Sequence, residues 1–240
     1  MSTHDPYATG PVIGLVGGLG VGATVHYYRQ LAGPGELERD ALRLVMIHAS
    51  IARTTECAAR GDRHGLAAYL AGLLTRLKAA GATFGVVPAV TPHICVDQLR
   101  AVAPLPVVDI IAAVSDHIHA RQLSRVAMFG TRVVIESDLF GRLRDVDVVR
   151  PLEPEIAFIH DAYSQLARTA AVSADHRARL IALAETLVAR EGVEAIVLAG
   201  TDFSLMFDTA NTPFPHVDCA GAHLDAIRQM ASSAAAGAPA

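Results

Sequence analysis

The sequence predicts an α/β protein made of two similar halves. Short apolar runs alternate with helical patterns along most of the chain, which is typical of parallel sheets covered by helices on both faces. A glycine-rich turn at 17–22 lies between the first apolar run and a helix. Segments 81–91 and 192–201 share one design, in which a helix ends at glycine, an apolar strand follows, and small residues lead to a threonine. This internal repeat predicts two facing α/β halves.

The apolar runs and the helical spacing set the elements in chain order. Strands are predicted at 12–16, 44–48, 84–88, 106–110, 125–129, 146–149, 195–199 and 215–218. Helices are predicted at about 22–32, 63–80, 93–102, 111–121, 136–144, 154–170, 174–191 and 220–231. The polar run 53–63 is either a flap over a cleft or a connector with an extra helical turn. Residues 1–10 and 233–240 are small and polar, and we expect flexible tails there.

Composition excludes several classes of function. The 240 residues are 52% hydrophobic and 18% charged, which is enough for a sizeable core. A net charge of -4 gives no electrostatic basis for binding nucleic acid. No apolar run approaches the ~20 residues that span a bilayer, and the N-terminus lacks a signal-peptide core. Three cysteines without CxxC spacing and histidines without HExxH spacing predict neither disulfides nor a metal. We expect a cytoplasmic protein that does not act at a membrane.

The glycine turn is suited to an anion, because it presents backbone N–H groups and the positive end of a helix. Gly18, Gly20 and Ala23 fit a loose dinucleotide fingerprint. However, the second strand, 44–48, continues into 49–53 without the acidic residue that would hold a ribose. A small carboxylate or phosphate is therefore the expected ligand, with Gly18 in its binding site.

Three threonines follow predicted strands. The repeat places Thr91 and Thr201 at the carboxyl ends of corresponding strands, on opposite walls of one cleft, where open α/β sheets bind ligands. Thr131 follows another strand in the same way. Each hydroxyl could hold a carboxylate, cap the following helix, or do both.

Several segments, in their order and spacing, resemble one known family. They are 13–20, 23–29, 61–62 with 80–82, 91–93, 129–132 with 136–140, 200–202, and 217–223. Over roughly residues 12–231 the chain resembles the aspartate/glutamate racemase family of cofactor-independent racemases. The broad-specificity amino-acid racemase branch is the most similar.

The resemblance implies a fold, an activity and an assembly. The fold would be two doubly wound parallel-sheet lobes related by a pseudo-twofold, with the active-site cleft between them. The first lobe would contain 11–112 plus 214–232, and the second lobe 113–213. The activity would be proton transfer beside the carboxylate of a small amino or dicarboxylic acid, without a cofactor. The family also implies a homodimer.

The chain departs from the family at the acid/base positions. There the family carries two residues, usually cysteines, just ahead of the two threonines. The matching positions are Ala89 (or Val90, with a one-residue slip) and Gly200, and none of these side chains can carry a proton. The cysteines present, Cys57, Cys95 and Cys219, lie elsewhere in the sequence. The usual two-thiol mechanism is therefore excluded by residue identity.

Other residues remain for chemistry and binding. His93 lies two residues after Thr91 and Asp202 directly follows Thr201, so these two could form a replacement acid/base pair or support the site from behind. Arg53 and Arg132 are candidate carboxylate anchors, or else solvated surface arginines. We expect the substrate site to include Gly18, Arg53, Ala89, Val90, Thr131, Arg132 and Gly200, and the catalytic residues to include His93, Asp202, Thr91 and Thr201.

Three functional hypotheses follow. The first is an isomerase with substituted acid/base residues, or a related lyase or decarboxylase. The second is a non-catalytic protein that binds a small acid. The third is a specialised biosynthetic enzyme, whose pocket is enlarged by the small residues at 89, 90 and 200.

Overall fold

A computed structural model describes residues 10–33, 35, 42–208 and 210–236. Most of the two predicted tails, 1–10 and 233–240, lies outside these ranges. The last helix continues through Ala236, which is further than the sequence pattern predicted. Within the described ranges, no helix combines the length and the apolar character needed to cross a membrane.

Strands and helices alternate along the described chain. The strands are β1 Ile13–Gly17, β2 Leu44–His48, β3 Phe84–Val86, β4 Val107–Val108, β5 Arg125–Gly130, β6 Asp147–Val149, β7 Ala195–Ala199 and β8 His216–Asp218. The α-helices are α1 Val21–Ala32, α2 Ile51–Ala59, α3 Arg63–Ala79, α4 Val96–Val102, α5 Ile110–Ala120, α6 Arg132–Glu136, α7 Asp138–Gly141, α8 Glu153–Thr169, α9 Ala174–Glu191 and α10 Cys219–Ala236. Short 3-10 helices, Thr91–Cys95 and Thr201–Leu205, follow β3 and β7.

The strands form two parallel sheets with the same order. The first sheet is β2-β1-β3-β4 and the second is β6-β5-β7-β8. Every strand pair is parallel, as in Ile13 beside Leu44 and Val126 beside Ala195. β1 and β7 are buried along their whole length because helices cover both faces of each sheet. The predicted α/β class and the internal repeat are confirmed.

Residues 214–232, which were predicted to complete the first lobe, divide between the two sheets. Strand β8 pairs with β7 and forms the edge of the second sheet. Helix α10 then crosses back, and its Leu224 and Ile227 pack with Ile13 and Leu15 of the first sheet. Helix α5 makes the reverse crossing, since its buried residues belong to the core of the second sheet. The strand pattern alone could not reveal this exchange, because it concerns only which sheet each strand joins.

The predicted helix at 136–144 is replaced by two short helices. α7 consists of left-handed residues, with φ between 51° and 68° from Asp138 to Gly141. This conformation is costly for residues other than glycine. It places Leu139 in the core, where its side chain is fully buried. Burial of that side chain therefore opposes the local backbone preference.

Helix α2 settles the alternatives for the segment after β2. Ser50 caps the helix by accepting a hydrogen bond from the Arg53 N–H at 3.3 Å. Thr54 and Ala58 are buried on its inner face. The helix thus gives the first lobe a fixed wall beside the carboxyl end of β2.

Candidate functional site

A cavity of about 750 Å³ lies between the two lobes. The first lobe lines it with Leu19, with residues of α2, and with 89–92, the segment that follows β3. The second lobe lines it with 131–133, which follow β5, and with one face of α8 between 160 and 168. The cavity is therefore at the carboxyl ends of strands from both sheets, the place where parallel α/β sheets bind ligands.

A pair of threonines joins the two walls. The Oγ1 atoms of Thr91 and Thr131 lie 3.1 Å apart. Thr131 is the N-cap residue of α6, yet its hydroxyl bonds to Thr91 and not to the helix amides. Of the residues predicted for the substrate site, Ala89, Val90, Thr131 and Arg132 line the cavity, and Thr91 does so as well.

His160 is a cavity residue that the sequence reasoning missed. Its Nδ1 lies 3.2 Å from the backbone N of Arg132 and accepts the first N–H of α6. The neutral ring then carries its proton on Nε2, so Nε2–H is a hydrogen-bond donor. The available signal was helical spacing, because 160, 164 and 168 fall on one face of the predicted helix 154–170 and all line the cavity.

Tyr163 occupies the space beside Gly200, the position that matches one family thiol. A Cβ atom at Gly200 would lie 2.5 Å from Cζ of the Tyr163 ring, which is closer than real Cβ contacts come. The ring also packs on Phe203, with centroids 4.9 Å apart. Burial, and then the nearby Asp202 carboxylate, raise the pKa of Tyr163 well above its ordinary value. Tyr163 therefore stays protonated and forms part of the cavity wall, and Gly200 lies outside the lining.

Asp202 fills the glycine turn. Its Oδ1 accepts the Ala23 N–H at the start of α1, at 2.9 Å. A Cβ atom at Gly20 would lie 2.8 Å from the same oxygen, so the glycine is required for this approach. Burial raises the pKa of Asp202 to about 6. The helix end predicted to bind an external anion thus holds a carboxyl group of the protein itself.

The remaining predicted catalytic groups also lie behind the walls. Thr201 is 1% exposed, and its hydroxyl donates to the Pro88 carbonyl at 3.0 Å. His93 is buried, and its Nδ1 lies 2.8 Å from the Ala89 carbonyl oxygen. Burial lowers the pKa of His93, and its Nε2 atom has no hydrogen-bond partner among the described residues. Neither residue lines the cavity, and neither does Gly18, which approaches His48.

The arginines near the cavity differ in how they are paired. Arg132 lines it, but its Nη1 bonds to Glu136 at 2.9 Å and to Glu153 at 2.8 Å. Arg53 is exposed, with its guanidinium 4.4 Å from the centroid of the Tyr69 ring, and it does not line the cavity. Arg168 lines the cavity and has no ion pair with any residue that the structure describes.

None of the three cysteines lines the cavity. Cys95 is buried, its Sγ bonds to the Pro92 carbonyl at 3.2 Å, and burial raises its pKa to about 12. Burial also raises the pKa of Cys219 well above its ordinary value. Both groups are therefore thiols and not thiolates at neutral pH. No group of His, Cys, Asp and Glu suited to a metal ion occurs in the described ranges.

These features define a two-lobed α/β protein whose matching strand ends enclose a small-molecule cavity. A family model described as Asp/Glu/Hydantoin racemase matches residues 16–227. The chain belongs to that family, as the resemblance in the sequence indicated.

Solved structures share the fold. An aspartate racemase homologue from Pyrococcus horikoshii OT3 is 22% identical, with a TM-score of 0.73, covering 92% of this chain and 99% of that one. An aspartate racemase from Picrophilus torridus is 18% identical, with a TM-score of 0.74, covering 93% and 95%. A variant of arylmalonate decarboxylase is 13% identical, with a TM-score of 0.51, covering 95% and 94%. At these identities the likeness is one of fold.

Proposed function

We propose that the cavity binds the carboxylate of a small organic acid, and that the protein moves a proton on the carbon next to it without thiols or a cofactor. The amino and dicarboxylic acids that the family resemblance implies are the first candidates. The observation that carries the proposal is the Thr91–Thr131 hydroxyl pair, which joins the two lobes at the cavity. His160 and Arg168 line the same cavity.

The proposed binding uses donors from both lobes. Thr91 and Thr131 donate hydrogen bonds to a carboxylate oxygen, and the Arg168 guanidinium balances its charge. Removal of the adjacent proton moves negative charge onto the carboxylate oxygens. The His160 Nε2–H donates to that charge, because the Arg132 N–H holds the ring with Nδ1 as acceptor. His160 is thus proposed as an electrophile and not as the proton acceptor.

The proton acceptor is proposed to be Asp161. Its carboxylate lines the cavity and has no ion pair within the described ranges. The proton passes from the carbon to a carboxylate oxygen of Asp161, and the electron pair remains on the substrate as an enolate. Return of the proton to the same carbon completes an exchange. His93 and Asp202 support this site from behind the walls, which is the second role considered for them from sequence.

A lyase is the second candidate, because the two walls differ. The cavity-lining groups that titrate near neutrality or below, His160 and Asp161, lie on α8 of the second lobe. Opposite them, the first lobe offers hydroxyls and apolar groups such as Ala89 and Val90. Racemisation needs proton carriers on both faces of the carbon, whereas protonation of an enolate after loss of carbon dioxide needs one. The observed asymmetry favours chemistry on a single face.

The test is exchange in D₂O. Single-enantiomer amino acids, together with mono- and dicarboxylic acids, are incubated with the protein, and proton NMR and chiral chromatography follow the carbon beside the carboxylate. Exchange with inversion supports a racemase, and exchange with retention supports one-face chemistry. His160→Gln is expected to slow exchange about 100-fold, whereas exposed His64→Gln serves as the matched control. Binding without exchange would contradict the catalytic proposal and leave a non-catalytic acid-binding protein. The homodimer stays a prediction, which sedimentation tests.

A further inference from the structure

We propose that the cavity selects acids with one carboxylate and an apolar, ring-sized body, and discriminates against dicarboxylates. This inference rests on the proposed acid-binding function and narrows its ligand class. It is carried by two independent features of the lining, namely the distribution of charge and the apolar surface.

The charge distribution leaves one cation free for a ligand. Two carboxylates, Glu136 and Glu153, surround the Arg132 guanidinium, so this part of the wall carries a net negative charge. The Glu136 hydrogen bond, followed by that of Glu153, raises the pKa of Arg132 and holds the guanidinium in place. Asp161 adds a further negative charge to the lining. Arg168 is the one cavity-lining cation without an ion pair in the part of the chain that the structure describes.

The first lobe does not supply a second cation. Arg53, the candidate on that side, lies over the outer face of the Tyr69 ring and outside the lining. A second carboxylate on the ligand would therefore lose its hydration without gaining a counter-charge, beside groups of the same sign. One carboxylate is matched by Arg168 and the threonine pair, and a second one is not.

The rest of the lining suits an apolar body. Leu19, Ile51, Val90 and Val133 line the cavity, and the Tyr163 ring adds an aromatic wall. The volume of about 750 Å³ lies within the range of about 300–1,000 Å³ that holds drug-sized ligands. A two- or three-carbon side chain would leave much of this apolar surface facing water. A ring or branched chain would bury it.

Four matched probes test the proposal by isothermal titration calorimetry and thermal shift. They are 3-phenylpropionate, phenylsuccinate (the same body with a second carboxylate), succinate, and 3-phenylpropan-1-ol (the same body without charge). We expect 3-phenylpropionate to bind at least about tenfold more tightly than each of the other three. Arg168→Gln is expected to weaken its binding about tenfold, while the exposed Arg76→Gln serves as a matched control with unchanged binding.

The outcomes separate this inference from the function it rests on. If the dicarboxylates bind as tightly as 3-phenylpropionate, selection for one carboxylate is overturned while acid binding stands. If Arg168→Gln binds 3-phenylpropionate like the wild type, the assigned counter-charge is overturned. If no acid binds, both the inference and the proposed function fail. D₂O exchange on a bound acid then tests catalysis separately.

Discussion

The turns after β3 and β7 are equivalent in the two sheets, yet they have opposite surroundings. Residues 89–91 line the cavity, and the Thr91 hydroxyl reaches across to Thr131. Residues 200–202 are sealed away from the cavity, with Tyr163 against Gly200 and the Asp202 carboxyl bonded to the Ala23 N–H. The repeat therefore fixes the path of the backbone, but neighbouring side chains decide whether a strand end faces a ligand.

The same substitution at the two equivalent positions gives the largest expected contrast. In Gly200→Cys the new side chain overlaps the Tyr163 ring, and we expect a loss of more than about 3 kcal/mol in the free energy of unfolding. Ala89→Cys adds a sulfur beside the open cavity and should change stability by less than about 1 kcal/mol. Urea denaturation of both variants measures the difference.

A double-mutant cycle identifies the cause. If the Tyr163 ring is responsible, combining Gly200→Cys with Tyr163→Ala destabilises less than the sum of the single changes, because the sulfur then enters the vacated space. Strict additivity would mean that another contact excludes the side chain.

Asp202 is expected to make stability depend on pH. Its folded pKa of about 6 exceeds the ordinary value of 3.8, so the folded protein binds more protons than the unfolded chain between these values. Stability from this group is therefore full below about pH 4 and is lost as the pH rises through 6, by about 3 kcal/mol in total. Asp202→Asn keeps an acceptor for the Ala23 N–H and lacks this loss.

The measurement compares unfolding free energies of wild type and Asp202→Asn from pH 4 to 7. The difference between the two curves should change across this window, because the variant removes only the Asp202 titration. Parallel curves would show that the carboxyl group ionises in the folded protein as readily as in water.

The two strand-end threonines should respond differently to loss of the hydroxyl. Thr201→Val leaves the Pro88 carbonyl without its buried donor, so we expect a loss of about 1–3 kcal/mol in stability. Thr91→Val should change stability by less than about 1 kcal/mol and instead weaken acid binding several-fold, since its hydroxyl lines the cavity. Denaturation and calorimetry on both variants separate these effects. Equal behaviour would remove the distinction between the two turns.

Arg53 should give the smallest effect. Its exposed guanidinium stacks on Tyr69, so Arg53→Gln should change stability by less than about 1 kcal/mol and acid affinity by less than about twofold. A tenfold loss of affinity would show that Arg53 turns into the cavity when the ligand binds.

The sequence predicted the fold better than the site. Alternating apolar and helical patterns report burial, so they located the strands and most of the helices. The turn at 138–141 escaped prediction, because its left-handed conformation is imposed by burial of Leu139 and not by local preference. The exchange of α5 and α10 escaped as well, since helical spacing indicates a buried face but not the sheet that covers it.

The site depended on directions that motif positions do not encode. Asp202 and Gly20 stand far apart in sequence, and only the fold shows that the carboxyl group fills the glycine turn. His160 and Tyr163 lie on a helix where no motif marked them. Their role follows from the small side chain at Gly200 and from the free amide of Arg132. Residue identity did establish that the thiols are missing, because that statement needs no geometry.

The crossing of α5 and α10 has a consequence for how the molecule folds. Each core is completed by a helix that follows the edge strand of the other sheet, so neither core is assembled from one continuous stretch of chain. The first sheet cannot bury its surface until synthesis has reached the last helix. We therefore expect the two lobes to melt in one cooperative transition, and a chain cut before α10 to lose both.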